Sequence, residues 1–286
     1  MELQFTKMHG TGNDYVIVDG RELDLDWNDV SFQMCQRRFG AGADGLLVVA
    51  SSKTAAIRMR MFNPDGSEAE MCGNGLRCFT KYVVESELVK LDSNTFSIQT
   101  AKRIVSSTPF ISKGYVKSSK INMGHPIFDA ERIPLIRSEQ EAEHGPILDS
   151  ELDINGITLL LQYVSMGNPH AVCFLDIPVD KFDLHQIGPN VENHTKFPER
   201  INFHIANVAD DGTIVMRSWE RGAGETWSCG SGACAVGVAA SLRGQSNPEG
   251  IIKVPGGILR IHWDRDTGVF LEGPVQEVYK GKWLLS

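Results

Sequence analysis

Two cysteines sit in the same local setting. Cys72 opens Cys-Gly-Asn-Gly and Cys229 opens Cys-Gly-Ser-Gly. If a helix starts directly after each cysteine, its first amide groups have no intrahelical acceptor and carry the positive end of the helix dipole. Glycine at the second and fourth places lets a ligand approach that backbone closely. Such a helix start binds a carboxylate or phosphate. The same field favours a thiolate, drawing a thiol from about 8.5 toward neutrality. One short motif thus offers a reactive sulfur beside a carboxylate anchor. Two of them facing one another would make an acid–base pair. One thiolate removes the α-proton of an amino acid, the opposite thiol returns a proton to the other face, and the stereocentre inverts. Oriented amides would stabilise the charge that develops on the carboxylate.

The setting around the cysteines is itself duplicated. At a shift of 157, residues 57–77 fall on residues 214–234: Met59 on Met216, Arg60 on Arg217, Asn63 on Glu220, Glu68 on Glu225, Cys72 on Cys229, Gly73 on Gly230 and Gly75 on Gly232. Gly12-Asn13 falls on Gly167-Asn168 at a shift of 155. The simplest account is two related domains facing each other across a cleft.

In both copies a short alternating run, 57–62 or 213–219, suits a strand. A polar Gly-bearing turn follows, and then Cys-Gly-x-Gly opens a helix. Leu76, Phe79, Thr80, Val83 and Val84 recur at helical spacing in the first copy, whereas residues 233–240 are apolar on every side in the second. A helix apolar all round must be buried all round, so each copy reads as a central helix wrapped by sheet. Further strands are expected at 15–19, 46–50, 96–100, 157–164, 170–175 and 258–263, and residues 130–153 as loop with one short element. The domain boundary is placed near Tyr115, giving 1–115 with 274–286, and 116–273.

Composition limits the alternatives. The chain has 286 residues, 42% hydrophobic and 22% charged, which suits one large or two ordinary globular domains. A net charge of −8 argues against nucleic acid as the main partner. The N-terminus lacks signal-peptide character and no apolar run is long enough to span a bilayer, so a cytoplasmic protein is expected. The six cysteines are not spaced as a zinc site, and a disulfide framework is not expected in a chain of this kind. Cys35, Cys78, Cys173 and Cys234 read as small buried hydrophobes.

These motifs resemble the diaminopimelate epimerase family. The resemblance rests on Phe-Thr-Lys-Met-His-Gly-Thr-Gly-Asn-Asp-Tyr (5–15), Phe-Asn-Pro-Asp-Gly-Ser-Glu (62–68), Met-Cys-Gly-Asn-Gly-Leu-Arg-Cys (71–78), Met-Gly-Asn-Pro-His (166–170), Phe-Pro-Glu-Arg-Ile-Asn (197–202), Glu-Arg-Gly-Ala-Gly-Glu-Thr (220–226) and Cys-Gly-Ser-Gly-Ala-Cys (229–234). It implies an α/β (α+β) fold of two pseudo-symmetric domains, each a curled, mostly antiparallel sheet around a central helix. It implies interconversion of LL- and meso-2,6-diaminopimelate without pyridoxal phosphate or metal, by a homodimer that supplies lysine and peptidoglycan synthesis. By resemblance, Cys72 deprotonates the LL isomer and Cys229 the meso isomer. Gly73, Asn74, Gly230 and Ser231 hold the reacting carboxylate, and Glu220 and His170 assist the thiols and the reacting ammonium. Asn63, Asn168, Asn202 and Arg221 read the distal end, and Asn13 lines the pocket near the reacting end.

Residue chemistry is compatible with those roles. An Arg fork suits a carboxylate and Asn carbonyls accept from an ammonium. Each also has a plainer reading: Asn13, Asn63 and Asn168 as turn formers, Asn202 as a solvent contact, His170 as a satisfied core histidine, Glu220-Arg221 as a surface ion pair. One position departs from the pattern. Some members carry glutamine where this chain has Gly45, and Asp44, backbone or water would have to compensate. Competing functions are a two-cysteine racemase of proline, hydroxyproline or histidine, a thiol redox or metal-binding protein, and a non-catalytic binding module.

Overall fold

The computed structural model describes residues 2–69, 71–91, 94–138, 141 and 145–285. The chain divides into two compact units, residues 1–122 with 272–286, and residues 123–271. The division falls at 122/123 and not near Tyr115, within a continuous strand that runs from Tyr115 to Gly124.

The first unit holds β1 (Glu2–Gly10), β2 (Asn13–Asp19), α1 (Trp27–Met34), β3 (Gly45–Ala50), β4 (Ile57–Phe62), β5 (Glu68–Ala69), α2 (Gly73–Glu85), β6 (Phe96–Gln99), β7 (Ile104–Ser112) and β8 (Tyr115–Gly124). The second holds β9 (Ser150–Ile154), β10 (Ile157–Ser165), β11 (Pro169–Phe174), α3 (Leu184–Glu192), β12 (Asn202–Val208), β13 (Ile214–Glu220), β14 (Gly224–Thr226), α4 (Gly230–Leu242), β15 (Glu249–Val254), β16 (Gly257–Asp264) and the start of β17 (Gly268–Pro274). The last strand, β18 (Gln276–Leu284), pairs antiparallel with β1 in the first unit.

The two units repeat one pairing scheme. In the first, β1–β2 is antiparallel, β2–β3 parallel, β3–β4 and β4–β5 antiparallel, β4–β6 parallel and β6–β7 antiparallel. In the second, β10–β11 is antiparallel, β11–β12 parallel, β12–β13 and β13–β14 antiparallel, β13–β15 parallel and β15–β16 antiparallel. The duplicated Arg and Glu brace the same hairpin in each copy. Arg60 grips Glu68 with two bonds of 2.9 Å, and Arg217 grips Glu225 at 2.8 and 3.1 Å. That geometry fixes the turn leading from the strand to each cysteine.

Each sheet curls round one helix. α2 packs on β1, β2, β3, β4 and β7, and buries Leu76, Phe79 and Val83. Each such side chain contributes about 1.5–3 kcal/mol. α4 packs on β10, β11, β12, β13, β15 and β16, and its small side chains are buried on nearly every face, as expected from their uniform apolarity. A second helix covers the outer side of each sheet. Leu46 and Val48 of β3 join a core with Trp27, Val30 and Met34 of α1, while Leu47 lies against the α2 side at Gly75. Strands buried on both faces read as continuous apolar runs, which is why this second layer is hidden from a period-two pattern. Neither α1 nor α3 was expected, although Asp26 and Asp183 cap their N-termini.

The stretch 130–153 contains a 3-10 turn at Ala130–Arg132 and the start of β9. Residues 139–140 and 142–144 of that stretch, and residue 70 of the first repeat copy, lie outside the described residues. Among the described residues no helix is long and apolar enough to cross a membrane.

Candidate active site

In the first unit the chain leaves β4, turns through residues 63–67 and enters α2 with Cys72 as N-cap in extended conformation. The sulfur is half-buried and reached by Tyr15 of β2, whose hydroxyl oxygen lies 3.0 Å from Sγ. The same oxygen is 2.6 Å from Asn13 Oδ1, which also accepts from Asn74 Nδ2 at 3.2 Å. Asn13 Nδ2 donates to Asp44 Oδ2 at 2.7 Å, and Asp44 accepts from the Asp14 backbone N–H and from Arg37. Asp14 is bonded in turn to Arg37 and Lys7; burial alone would raise its carboxyl, but these two cations together outweigh burial and hold it down at about 2. Asp44 thus orients Asn13, a connection its neighbour Gly45 cannot make. Gly45 itself is required: a Cβ there would meet the Phe62 carbonyl at 2.8 Å and the Tyr15 ring at 3.4 Å.

Asn63 lies apart from this chain of bonds. Its side-chain amide donates to Ser67 at 2.9 Å and its carbonyl accepts from Gly66 N–H, so it shapes the turn. Cys78, one turn beyond the helix start, is fully buried and pushed up to about 12 by that burial.

The second unit seats Cys229 as N-cap of α4, also extended. This sulfur is buried, with Ser231 Oγ at 3.8 Å. Burial first, and then the charge and hydrogen bond of Glu220, push the Cys229 thiol well above its ordinary range; the Gly232 N–H and Ser231 act against them. The thiolate-favouring field expected at a helix start is therefore outweighed here by desolvation and a neighbouring carboxylate. Thr226 donates to Glu220 across the β13–β14 hairpin and holds it.

Beside the helix start lies a buried relay. His170 Nε2 is 3.0 Å from Asn168 Oδ1, His170 Nδ1 is 2.9 Å from His204 Nε2, and His204 Nδ1 is 2.9 Å from Ser218 Oγ. With Asn168 Oδ1 as acceptor, His170 carries its proton on Nε2. His204 then donates from Nε2, and Ser218 donates to His204 Nδ1. Both imidazoles are fully buried; burial lowers His170 well below its ordinary value and His204 to about 3. Both are neutral near pH 7.

Asn202 is buried with its amide engaged at both ends. It donates to Pro169 O at 2.7 Å and accepts from the Arg221 backbone N–H at 3.0 Å. It therefore sets the chain at Arg221, whose guanidinium donates to Glu199 O at 2.9 Å. Among the described residues no cluster of three or more His, Cys, Asp or Glu is arranged to hold a metal ion, and all six cysteines are unpaired by disulfides.

The expected residues thus form two groups. Asn13, Cys72, Gly73 and Asn74 come together in the first unit. Asn168 and His170, Asn202 and Arg221, and Glu220 with Cys229, Gly230 and Ser231 come together in the second. Tyr15, Thr226, His204 and Ser218 were not anticipated, and Asp44 entered only as one way to compensate for Gly45. A signal existed for Tyr15, because the 155-residue shift that pairs Asn13 with Asn168 places Tyr15 on His170. Nothing local marks Ser218.

The family model described as diaminopimelate epimerase matches residues 5–128 and 162–278. A diaminopimelate epimerase of Caldanaerobacter subterraneus subsp. tengcongensis is 40% identical over 280 residues, covering 98% of this chain and 99% of the relative. One from Methanococcus maripaludis is 42% identical over 282 residues, with 98% and 99% covered. Among solved structures, a probable proline racemase from Agrobacterium radiobacter K84 shares the fold with a TM-score of 0.69 at 15% identity, over 99% of this chain and 93% of that one.

Proposed function

Because this chain belongs to the diaminopimelate epimerase family, we infer that it is the isomerase converting LL-2,6-diaminopimelate to the meso form, and we propose Cys72 and Cys229 as its acid–base pair. The observation that carries the pairing is the repeated seat. Each thiol is the N-cap residue of the helix at the centre of its own unit, followed by Gly-x-Gly.

In this reading the α-carboxylate of the substrate rests on the amides of Gly73, Asn74, Gly230 and Ser231. The Cys72 thiolate takes the α-proton of the LL isomer. Negative charge passes into the carboxylate, where the oriented amides stabilise it. The Cys229 thiol then delivers its proton to the opposite face, leaving Cys72 as thiol and Cys229 as thiolate. The reverse reaction restores the first state. The burial of Cys229 beside Glu220 supports its role as the protonated partner. Asn168 and Arg221 recognise the distal amino-acid end, where a guanidinium fork suits the second carboxylate, and Asn202 serves that end by holding the chain at Arg221. Asn63 contributes there through the turn it shapes. The family resemblance supports a cytoplasmic homodimer whose product enters lysine and peptidoglycan synthesis.

The test is incubation with LL-diaminopimelate in deuterated water. The expected product is meso isomer carrying one α-deuterium. Cys72→Ala and Cys229→Ala should each lose at least about 10³-fold in kcat, within the range of general acid–base catalysis. A single variant that still inverts the centre at the parental rate excludes the two-thiol scheme, and preference for proline or hydroxyproline excludes the substrate.

A further inference from the structure

We propose that the Tyr15 phenol is the working partner of Cys72, its O–H donating to the sulfur when that is a thiolate and turning to Asn13 when it is a thiol.

The oxygen of Tyr15 stands between two acceptors, 3.0 Å from Cys72 Sγ and 2.6 Å from Asn13 Oδ1. A phenol has one proton to give, so the two bonds alternate. Asn13 cannot turn its amide to escape this choice. Its Nδ2 is committed to the Asp44 carboxylate at 2.7 Å, and Asp44 is held by Arg37 at 2.6 Å and by the Asp14 N–H at 3.0 Å. Asn13 Oδ1 therefore always faces Tyr15, and it also lies 3.7 Å from the Cys72 sulfur, where it accepts from the thiol.

The ring itself cannot swing. It is buried, with Gly45 on one side and Gly75 on the other, where a Cβ would lie 3.4 and 3.5 Å from ring carbons. Only the hydroxyl hydrogen is left to move, a rotation about one bond. Burial, and then the adjacent sulfur, raise the phenol well above the ordinary tyrosine range, so it stays a donor and does not compete as a base.

The second unit lacks this device. At the matching place His170 binds Asn168 and His204, and the partner of Cys229 is the carboxylate of Glu220. A donor beside one sulfur and a carboxylate beside the other favour unlike protonation, thiolate at Cys72 and thiol at Cys229. That is the arrangement needed to start on the LL isomer. The inference rests on the reading of Cys72 as a proton-transfer group.

The variant is Tyr15→Phe in the full chain. It leaves in place the other titratable groups near this site, Cys78 on α2 and the Lys7, Asp14, Arg37 and Asp44 cluster. Alkylation of each cysteine by iodoacetamide is followed against pH by peptide mass spectrometry. The Cys72 midpoint should rise by about one pH unit, a tenfold loss of thiolate at lower pH, with no change at Cys229. The acid limb of kcat/KM for LL-diaminopimelate should move with it. Fluorotyrosine at position 15, a stronger donor of nearly the same shape, should move the Cys72 midpoint the other way. An unchanged Cys72 midpoint, equal shifts at both cysteines, equal effects of Phe and fluorotyrosine, or unaltered kinetics would each overturn the proposal. Retained epimerisation in Cys72→Ala would instead sink the acid–base reading beneath it.

Discussion

The imidazole of His204 occupies the space that a side chain on Gly232 would need: a Cβ there would lie 2.3 Å from His204 Cε1 and 2.6 Å from Nε2. In the first unit the matching Gly75 has only ordinary contacts, with Leu47 at 3.4 Å and Tyr15 at 3.5 Å. Two glycines of one motif are therefore kept for different reasons. Gly232→Ala should lose about 1–3 kcal/mol of stability through overpacking, whereas Gly75→Ala should stay within about 1 kcal/mol of the parent. Thermal melts of the two variants side by side check this, and equal losses would contradict it.

Glu220 and burial together keep the proton on Cys229. Glu220→Gln removes the negative charge, so the thiol should give up its proton at lower pH. The alkaline limb of the LL-to-meso rate should move to lower pH, read from kcat against pH. A limb that moves upward, or not at all, would remove Glu220 from control of this thiol.

His170 and His204 are both depressed by burial. A histidine with a folded value below its unfolded value of about 6.5 stabilises fully above that pH, and this contribution is lost as pH falls. For His204 the loss runs from about 6.5 toward about 3. With two such residues the fold should weaken by up to about 2.7 kcal/mol per pH unit below pH 6. Denaturant titrations at several pH values give the slope, and His204→Gln should reduce it by about half.

Asn202 acts through Arg221, holding its backbone N–H at 3.0 Å. Arg221→Ala should raise KM for diaminopimelate about 10- to 100-fold, the effect of about 1.4–2.7 kcal/mol from a lost charge-assisted contact. Asn202→Ala should do much of the same damage, and the double variant little more than Arg221→Ala. Additive losses would place the two residues on separate parts of the substrate.

Several of these features are legible in the sequence and others are not. The strand, hairpin and helix around each cysteine follow from the repeat, from alternation and from glycine placement. Helix α1 is hidden because β3, a strand it covers, is apolar on both faces and shows no period that would call for a second layer, whereas α3 packs on β13, which does alternate, and its one local mark is the Asp183 cap. Asn202 was weighed as a solvent contact, yet its amide is buried and bonded at both ends. Nothing in the residues near it announces that the acceptor is Pro169 and the donor Arg221.

The sequence by itself determined that two thiols begin two similar helices, because a helix start, its glycines and the turn before it are set within a few residues of chain. Tertiary structure alone decided what stands beside each sulfur. Tyr15 reaches Cys72 across 57 positions, and the parallel pairing of β11 with β12 brings His204 into the layer beneath α4. Strand register sets such meetings, and register is a property of the assembled sheet that no local window of residues contains.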